Sequence, residues 1–268
     1  RGQGAGCGSA PGNSKESIRE KLLLAYQYLE NMEFDSALDA FAAVIEIDEK
    51  IPAVYAGMAR AYSAKGDHAA ARDAAAKGKE MTEVNYFGGL ERMYGKISDN
   101  EEVLKEIADL LKEGDEKIPG ELEESRTGLL SQALDQLWEK LDGLDIYDLI
   151  GSDTLVYPVD PEKGIYLILF PDNRFYLGEV RYIPFSELLS QAENSSKEGE
   201  EAEAAIPEMP LSDLVLPVLE GRGIQAGFDQ KQMLADLYIG EWKNSLPDGQ
   251  GAVYAWQYLE GGARYVYH

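Results

Sequence analysis

Two histidines, one cysteine and 49 carboxylates are the residues with which this chain could do chemistry. His68 follows a Gly-Asp turn and His268 is the last residue. Neither stands beside a nucleophile motif, so a Ser-His-Asp or Cys-His arrangement has no base to use. His68 is expected to pack inside a helix pair. The runs "GRGIQAG" and "GQGAGCG" have the glycines of a phosphate loop, but no Lys-Ser/Thr follows them and neither sits between a strand and a helix. "DEKIPGELEE" is acidic but lacks the spaced, glycine-pivoted ligands of a calcium loop. The lone Cys7 excludes an internal disulfide and a cysteine-built zinc site. So many acids guarantee chance carboxylate pairs, and counting alone identifies no glycosidase pair. The expectation is no catalytic residue, no metal and no cofactor.

Charge narrows the binding classes. Against 25 Lys+Arg stand 49 Asp+Glu, a formal charge of -24 with a pI near 4.4. That sign argues against nucleic acid and anionic lipid surfaces, which attract basic patches. With 44% hydrophobic and 28% charged residues the chain has the composition of a folded protein. It holds no run of the roughly 18 apolar residues that a spanning helix needs. What remains is recognition by surfaces, which makes the elements that build those surfaces the next concern.

Residues 1 to about 16 are rich in Gly, Ser and Pro and read as a disordered tether. Helical periodicity then runs from 17 to 150. Apolar residues recur at three and four in "ESIREKLLLAYQYLENMEFDSALDAFAAVIEIDEK", and "IPAVYAGMARAYSAKGDHAAARDAAAKGKEMTE" repeats the pattern. Leu24 and Met58, Tyr28 and Tyr62, and Ala37 and Ala71 each stand 34 apart. A fixed period of that length means stacked helix pairs. Farther on, "SDNEEVLKEIADLLKEG" carries a capping start at Ser98 or Asp99 and a stop at Gly114. Leu130, Leu134, Leu137, Trp138 and Leu141 mark another amphipathic helix.

These two stretches resemble tetratricopeptide (TPR) repeats. Tyr55, Met58, Ala59 and Tyr62 fit that family's first helix, Gly66-Asp67 its turn, and Ala71 its second helix. Leu24, Ala25, Tyr28, Ala37 and Phe41 hold the same places one repeat earlier, while Lys21, Val44 and Gly78 depart from the pattern. The resemblance implies a solenoid whose first helices line a groove for peptides. Carried over, the groove residues are Arg19, Leu22, Tyr26 and Leu29, then Ala53, Ala56, Arg60 and Ser63. Arg19, Tyr26 and Arg60 would orient a peptide by charge and stacking. The lysines and asparagines with which some members clamp a free C-terminus are missing.

After Gly151 the composition changes. More than half of the 16 tyrosines lie beyond it, in short β-branched and aromatic runs such as "TLVYPV", "GIYLILF" and "RFYLGEV". A hairpin turning at Asp172-Asn173 is predicted, and about 189–210 is an acidic insertion with few bulky residues. Tyr238, Gly240, Glu241 and Trp242, followed by Gly249 and Gly251, resemble a MORN repeat (membrane occupation and recognition nexus). Tyr176, Gly178 and Glu179 repeat its opening with Val180 in the tryptophan's place, Gly221 and Gly223 supply a second Gly-x-Gly pair, and a further hairpin is predicted at Gly261-Gly262. The resemblance implies stacked β-hairpins over 151–268, with Tyr176, Tyr238, Gly240, Trp242 and Trp256 on one face. These residues read chiefly as a core ladder.

The fold class is therefore α+β in two segregated parts, a TPR-like helical solenoid followed by antiparallel MORN-like β-hairpins. Ala5 and Gly6 before Cys7 resemble the small residues ahead of a bacterial lipoprotein's lipidated cysteine, although Gly4 replaces the usual bulky aliphatic residue and no signal segment or initial Met is present. The expected role is a non-enzymatic scaffold for a protein or peptide partner. It would be extracytoplasmic, touching a membrane only through an anchor at Cys7; a cytoplasmic location is the alternative. Rival readings are an envelope enzyme acting on glycan or peptide with carboxylates in a cleft between the halves, and lipid association through the MORN-like part.

Overall fold

A computed structural model describes residues 11–82, 85–117, 140, 149, 153–184, 215–228, 234–255 and 265–267. The fold is α+β with segregated parts. Helices α1 (Pro11–Glu30), α2 (Phe34–Ile45), α3 (Pro52–Ala64), α4 (His68–Glu80), α5 (Tyr86–Asp99) and α6 (Glu101–Lys117) precede the strands. Strands β1 (Leu155–Asp160), β2 (Ile165–Leu169), β3 (Arg174–Pro184), β4 (Val215–Phe228), β5 (Leu234–Lys243), β6 (Leu246–Ala255) and β7 (Tyr265–Tyr267) pair in sequence order into one antiparallel sheet. The chain divides into two compact units, Arg1–Gly95 and Lys96–His268. The division falls inside α5, well before the change of composition at Gly151, and α6 is grouped with the sheet.

Local chemistry sets the helix ends. Pro52 opens α3, where its missing N–H would be unpaired in any case. Gly66 leaves α3 at φ 81°, and the Asp67 carboxylate then caps α4 by accepting from the Ala70 N–H at 2.9 Å. Helix α1 takes in 11–16, which composition assigns to the tether; Pro11 is tolerated in a first turn. Ser98 and Asp99 close α5 instead of capping α6, which begins after Asn100 and continues through Gly114 to Lys117.

The 34-residue period reappears as a period of burial. Ala25 and Ala59, Leu29 and Ser63, Ala37 and Ala71, and Phe41 and Ala75 are buried in pairs, so the same stripes face inward in both helix hairpins. Aromatic rings interlock the hairpins. The Phe41 ring of α2 lies where a Cβ on Gly57 of α3 would stand, and Phe87 of α5 fills the same space over Gly78 of α4. Gly78 has no room for a methyl because the Phe87 ring occupies its place. Tyr26 stands edge-on to Phe41 at 5.3 Å and donates its hydroxyl to the Ala53 carbonyl at 2.8 Å, tying α1 to α3. The face α3 buries is small and apolar: Val54, Gly57 and Ala61. On α1 the equivalent positions are Glu20, Leu23 and Gln27, and all three are exposed. Leu24, at the register position of the half-buried Met58, is 43% exposed.

In the sheet unit the β2–β3 hairpin turns where expected, with Asn173 at φ 63° and the Phe170 N–H donating to the Arg174 carbonyl at 2.8 Å. The β5–β6 hairpin closes on Asn244-Ser245, both at positive φ, between the paired Lys243 and Leu246. Leu167, Leu169, Phe175, Leu177, Ile224, Ala226, Leu237 and Ile239 line one face and are all buried. Helix α6 packs near β1 and β3 and buries Leu104, Ile107, Ala108 and Leu111.

Candidate functional site

On the helical unit, the expected groove residues divide by burial. Arg19 is exposed, and Leu22, Tyr26, Ala53, Ala56 and Arg60 are half-buried. Leu29 at 1% and Ser63 at 5% exposure belong to the interior and offer no surface to a ligand. The physical reason is the small interhelical gap: these positions end the inward stripe that begins at Ala25 and Ala59. Ser63 Oγ lies 3.3 Å from His68 Nδ1, and His68 is itself buried, so this Ser-His contact closes the α3–α4 hairpin from within and no substrate can reach it.

What stays accessible is a strip along the first helices of successive pairs. Arg19, Leu22 and Tyr26 recur at three and four along α1, and Ala53, Ala56 and Arg60 do so along α3. Tyr26 and Ala53 are joined by the hydroxyl bond already described. Tyr86 of α5 is half-buried, with its hydroxyl in the interior and the Arg60 guanidinium close enough to act on its charge. Burial pushes the Tyr86 hydroxyl up to about 12, with Arg60 pulling the other way. Tyr86 was not legible as a site residue because the 34-residue register is lost after Glu83; only its aromatic character before a helical run was a signal.

The sheet unit holds one device built twice. In both Tyr176-Leu177-Gly178-Glu179 and Tyr238-Ile239-Gly240-Glu241 the tyrosine hydroxyl donates to the glutamate carbonyl three residues on, at 2.9 Å each. That bond spans a bulge in each strand, after Gly178 and after Gly240. The glutamate side chain then reaches the next strand. Glu179 accepts from the Arg222 N–H at 3.3 Å and Glu241 from the Gln250 N–H at 3.2 Å. Each donating N–H directly follows a glycine at positive φ, Gly221 at 62° and Gly249 at 82°. The second glycines lie under the tyrosine rings: Gly178 faces Gly223 and Gly240 faces Gly251, with no room for a Cβ.

Trp242 joins the two copies. Its indole stands edge-on to Tyr176 at 5.4 Å and to Tyr238 at 4.9 Å, and its Nε1 makes a long 3.4 Å bond to the Gly223 carbonyl. Tyr176 and Trp242 are buried and Tyr238 half-buried, so these rings are a ladder within the sheet. Burial, with help from Glu179, holds the Tyr176 hydroxyl far above its ordinary range, and burial with Glu241 raises that of Tyr238. Gly240 lies beneath the ladder as backbone floor. Trp256 and Cys7 lie outside the described residues, as do the 189–210 insertion, the helix marked by Leu130 to Leu141 and the turn at Gly261-Gly262.

The sequence did not reveal the glutamates' role. The accepting bond spans 43 residues in the first copy and 9 in the second, so the two copies share a bonding pattern that no fixed period exposes. Strands β3 and β4 remain paired out to Pro184 and Val215, so the acidic stretch departs and returns at one hairpin end, where the second copy has a two-residue turn.

Among the described residues, no group of three or more His, Cys, Asp or Glu could hold a metal ion, and no helix is long and apolar enough to cross a membrane. Comparison with protein-family models, with curated proteins and with solved structures finds no match to this chain.

Proposed function

We propose that this chain is a non-enzymatic interaction scaffold, a TPR-like helix-pair solenoid joined to MORN-like hairpins, that binds a peptide or protein segment along α1, α3 and the start of α5. The observation that carries this reading is the recurrence of burial at the 34-residue period, which leaves Arg19 exposed and Leu22, Tyr26, Ala53, Ala56 and Arg60 only half-buried along one strip. Tyr26 is fixed by its hydroxyl bond and its contact with Phe41, so the strip presents a rigid ring on the helix that carries the exposed Arg19, while Nε and Nη1 of Arg60 are buried. Rigid aromatics and arginines are the residues that carry most of the energy in peptide interfaces. The paired Tyr-x-Gly-Glu devices support the MORN-like reading of the sheet, with a stabilising role for its aromatics. An extracytoplasmic, lipid-anchored location is part of this proposal and rests on the residues around Cys7 alone.

The test is selection of peptides from a random library on the full chain, followed by affinity measurement against Arg19→Glu and Ala56→Arg variants. Arg19 is exposed and Ala56 half-buried, so each variant is first required to keep the wild-type circular dichroism. Selected peptides are expected to lose at least about tenfold in affinity for both variants, the scale of one lost interfacial contact. Peptides that bind both variants as well as wild type would refute the groove.

A further inference from the structure

The register of the sheet repeats more closely than its sequence does. Val218, Glu220, Gly221 and Gly223 of β4 have counterparts 28 residues on in β6: Leu246, Asp248, Gly249 and Gly251. Strand β7 then stands to β6 as β5 stands to β4. The pairs Gly227↔Asp236, Ala226↔Leu237 and Gln225↔Tyr238 recur as Ala255↔Tyr265, Tyr254↔Val266 and Val253↔Tyr267. Tyr267 therefore holds the register place of Tyr238.

Beyond that point the two interfaces differ. Strand β4 goes on pairing with β5 through Gly223↔Gly240, Arg222↔Glu241 and Gly221↔Trp242. Strand β6 carries the same Gly-x-Gly at Gly249–Gly251, yet among the described residues no strand pairs with its outer edge there. Burial follows the pairing. Gly223 is buried and Gly221 and Glu220 are half-buried, whereas Asp248, Gly249, Gln250 and Gly251 are all exposed. Val218 is 4% exposed and its counterpart Leu246 67%, the only exposed large hydrophobic residue in the described part of the sheet. Tyr176 is fully buried, and Tyr238, the next rung of the ladder towards β6, only half-buried.

We infer that the outer edge of β6 from Pro247 to Gly251 is an acceptor site for an extended segment of a partner protein carrying Gly-Glu-Trp, the chemistry of β5. The β4–β5 interface selects this occupant, because β6 offers the same contacts in the same register. Trp242, opposite Gly221, lays its indole towards the Gly223 carbonyl and stands edge-on to Tyr176. A tryptophan opposite Gly249 would reach Gly251 in the same way and stand against Tyr238. Past Trp242, the Asn244 N–H donates to the Glu220 carboxylate at 3.3 Å and the Ser245 N–H to the Leu219 carbonyl at 3.0 Å. Asp248 and Pro247 present a carboxylate and a carbonyl at those two places. Pro247 lacks the N–H that Leu219 donates to the Ser245 hydroxyl, so the segment needs no hydroxyl there. Backbone pairing would supply affinity and the tryptophan specificity. The site belongs to the sheet unit and draws on no residue of the strip on α1 and α3.

The test is register-specific cross-linking of the full chain, carrying Cys7→Ser and Gln250→Cys, to a synthetic peptide of the sequence Ile239–Ser245 with Glu241→Cys. Arg222 and Glu241 are direct opposites, so the two substituted positions should meet in the docked strand. Gln250 is exposed, and the bond from its N–H to Glu241 does not depend on its side chain. In a glutathione redox buffer a disulfide-linked product is expected, at least about tenfold more abundant than with a peptide carrying Lys243→Cys instead. Anisotropy with the unsubstituted chain and the labelled Ile239–Ser245 peptide gives a second reading. Saturable binding is expected, weakened at least about tenfold by Trp242→Ala in the peptide and unchanged by Arg19→Glu in the protein. Absence of binding, equal cross-linking at the two cysteine positions, or equal affinity with and without the tryptophan would each overturn the inference. Sedimentation tests the other occupant: self-association of the chain that the peptide abolishes would overturn it in favour of a second copy.

Discussion

Replacing Trp242 by alanine should unfold the sheet unit far more readily than any change on its surface. The indole is 5% exposed and stands edge-on to two tyrosines that belong to different copies of the hairpin device. Removing a buried tryptophan costs about 3–5 kcal/mol, through lost burial and the cavity left behind. Nothing in the sheet can collapse into the hole, because Tyr176 and Tyr238 are held by their hydroxyl bonds to the carbonyls of Glu179 and Glu241. The upper part of the range therefore applies, about 4 kcal/mol. At a urea dependence of about 2 kcal/mol/M the midpoint should fall by about 2 M. The assay is urea titration followed by near-ultraviolet circular dichroism, which reports the aromatic ladder. Trp242→Phe should lose only about 1–2 kcal/mol, keeping an edge contact and giving up the weak Nε1 bond. A double-mutant cycle of Trp242→Leu with Tyr176→Leu should return a coupling of about 0.5–1.5 kcal/mol. A midpoint shift under about 0.5 M for Trp242→Ala, or a coupling of zero, would refute the claim that this ring locks the two copies together.

Two further predictions concern backbone and charge. Gly249→Ala should cost about 2–3 kcal/mol, because φ 82° disfavours alanine and the new methyl would displace the Glu241 carboxylate from the Gln250 N–H. Gly66→Ala, at φ 81° in open space, should cost only about 1–2 kcal/mol, and thermal unfolding of the pair separates the strain from the lost bond. Alkaline unfolding should show the buried Tyr86 hydroxyl. Its folded pKa of about 12 lies above the ordinary 10.0, so the folded state holds the proton longer. That contribution is complete below pH 10 and is lost as pH rises from 10 towards 12, a loss on the order of 2 kcal/mol. Tyr86→Phe should flatten the fall in the urea midpoint between those pH values, and an unchanged slope would refute the assignment.

The parts of this architecture readable in one dimension are those set by nearby residues. A helix turns every 3.6 residues and a strand alternates every two, so apolar spacing announces each element, and the 34-residue repeat is the same spacing at longer range. The turn at Gly66-Asp67, the hairpin at Asp172-Asn173 and the division into helical and β parts follow from such signals. Caps were less readable: Ser98 and Asp99 are as fit for the N-cap as Asn100, and the choice depends on how far α5 continues.

The amino-acid sequence by itself determined that helices come first and strands second, that two helix pairs share a register, that Tyr-x-Gly-Glu occurs twice, and that the chain is acidic. Only the tertiary structure decided which residues of those patterns are surface and which are interior. Leu29 and Ser63 hold expected groove positions but are buried, and Leu24 is exposed where its register mate Met58 is half-buried, because burial depends on which helix stands alongside. Distance along the chain also conceals what is joined. Phe41 fills the space over Gly57, Glu179 reaches the Arg222 N–H across 43 residues, and Lys79 of α4 pairs with Glu91 of α5. Periodicity records the direction a side chain takes from its own backbone; the partner it meets there is fixed by how separate elements pack.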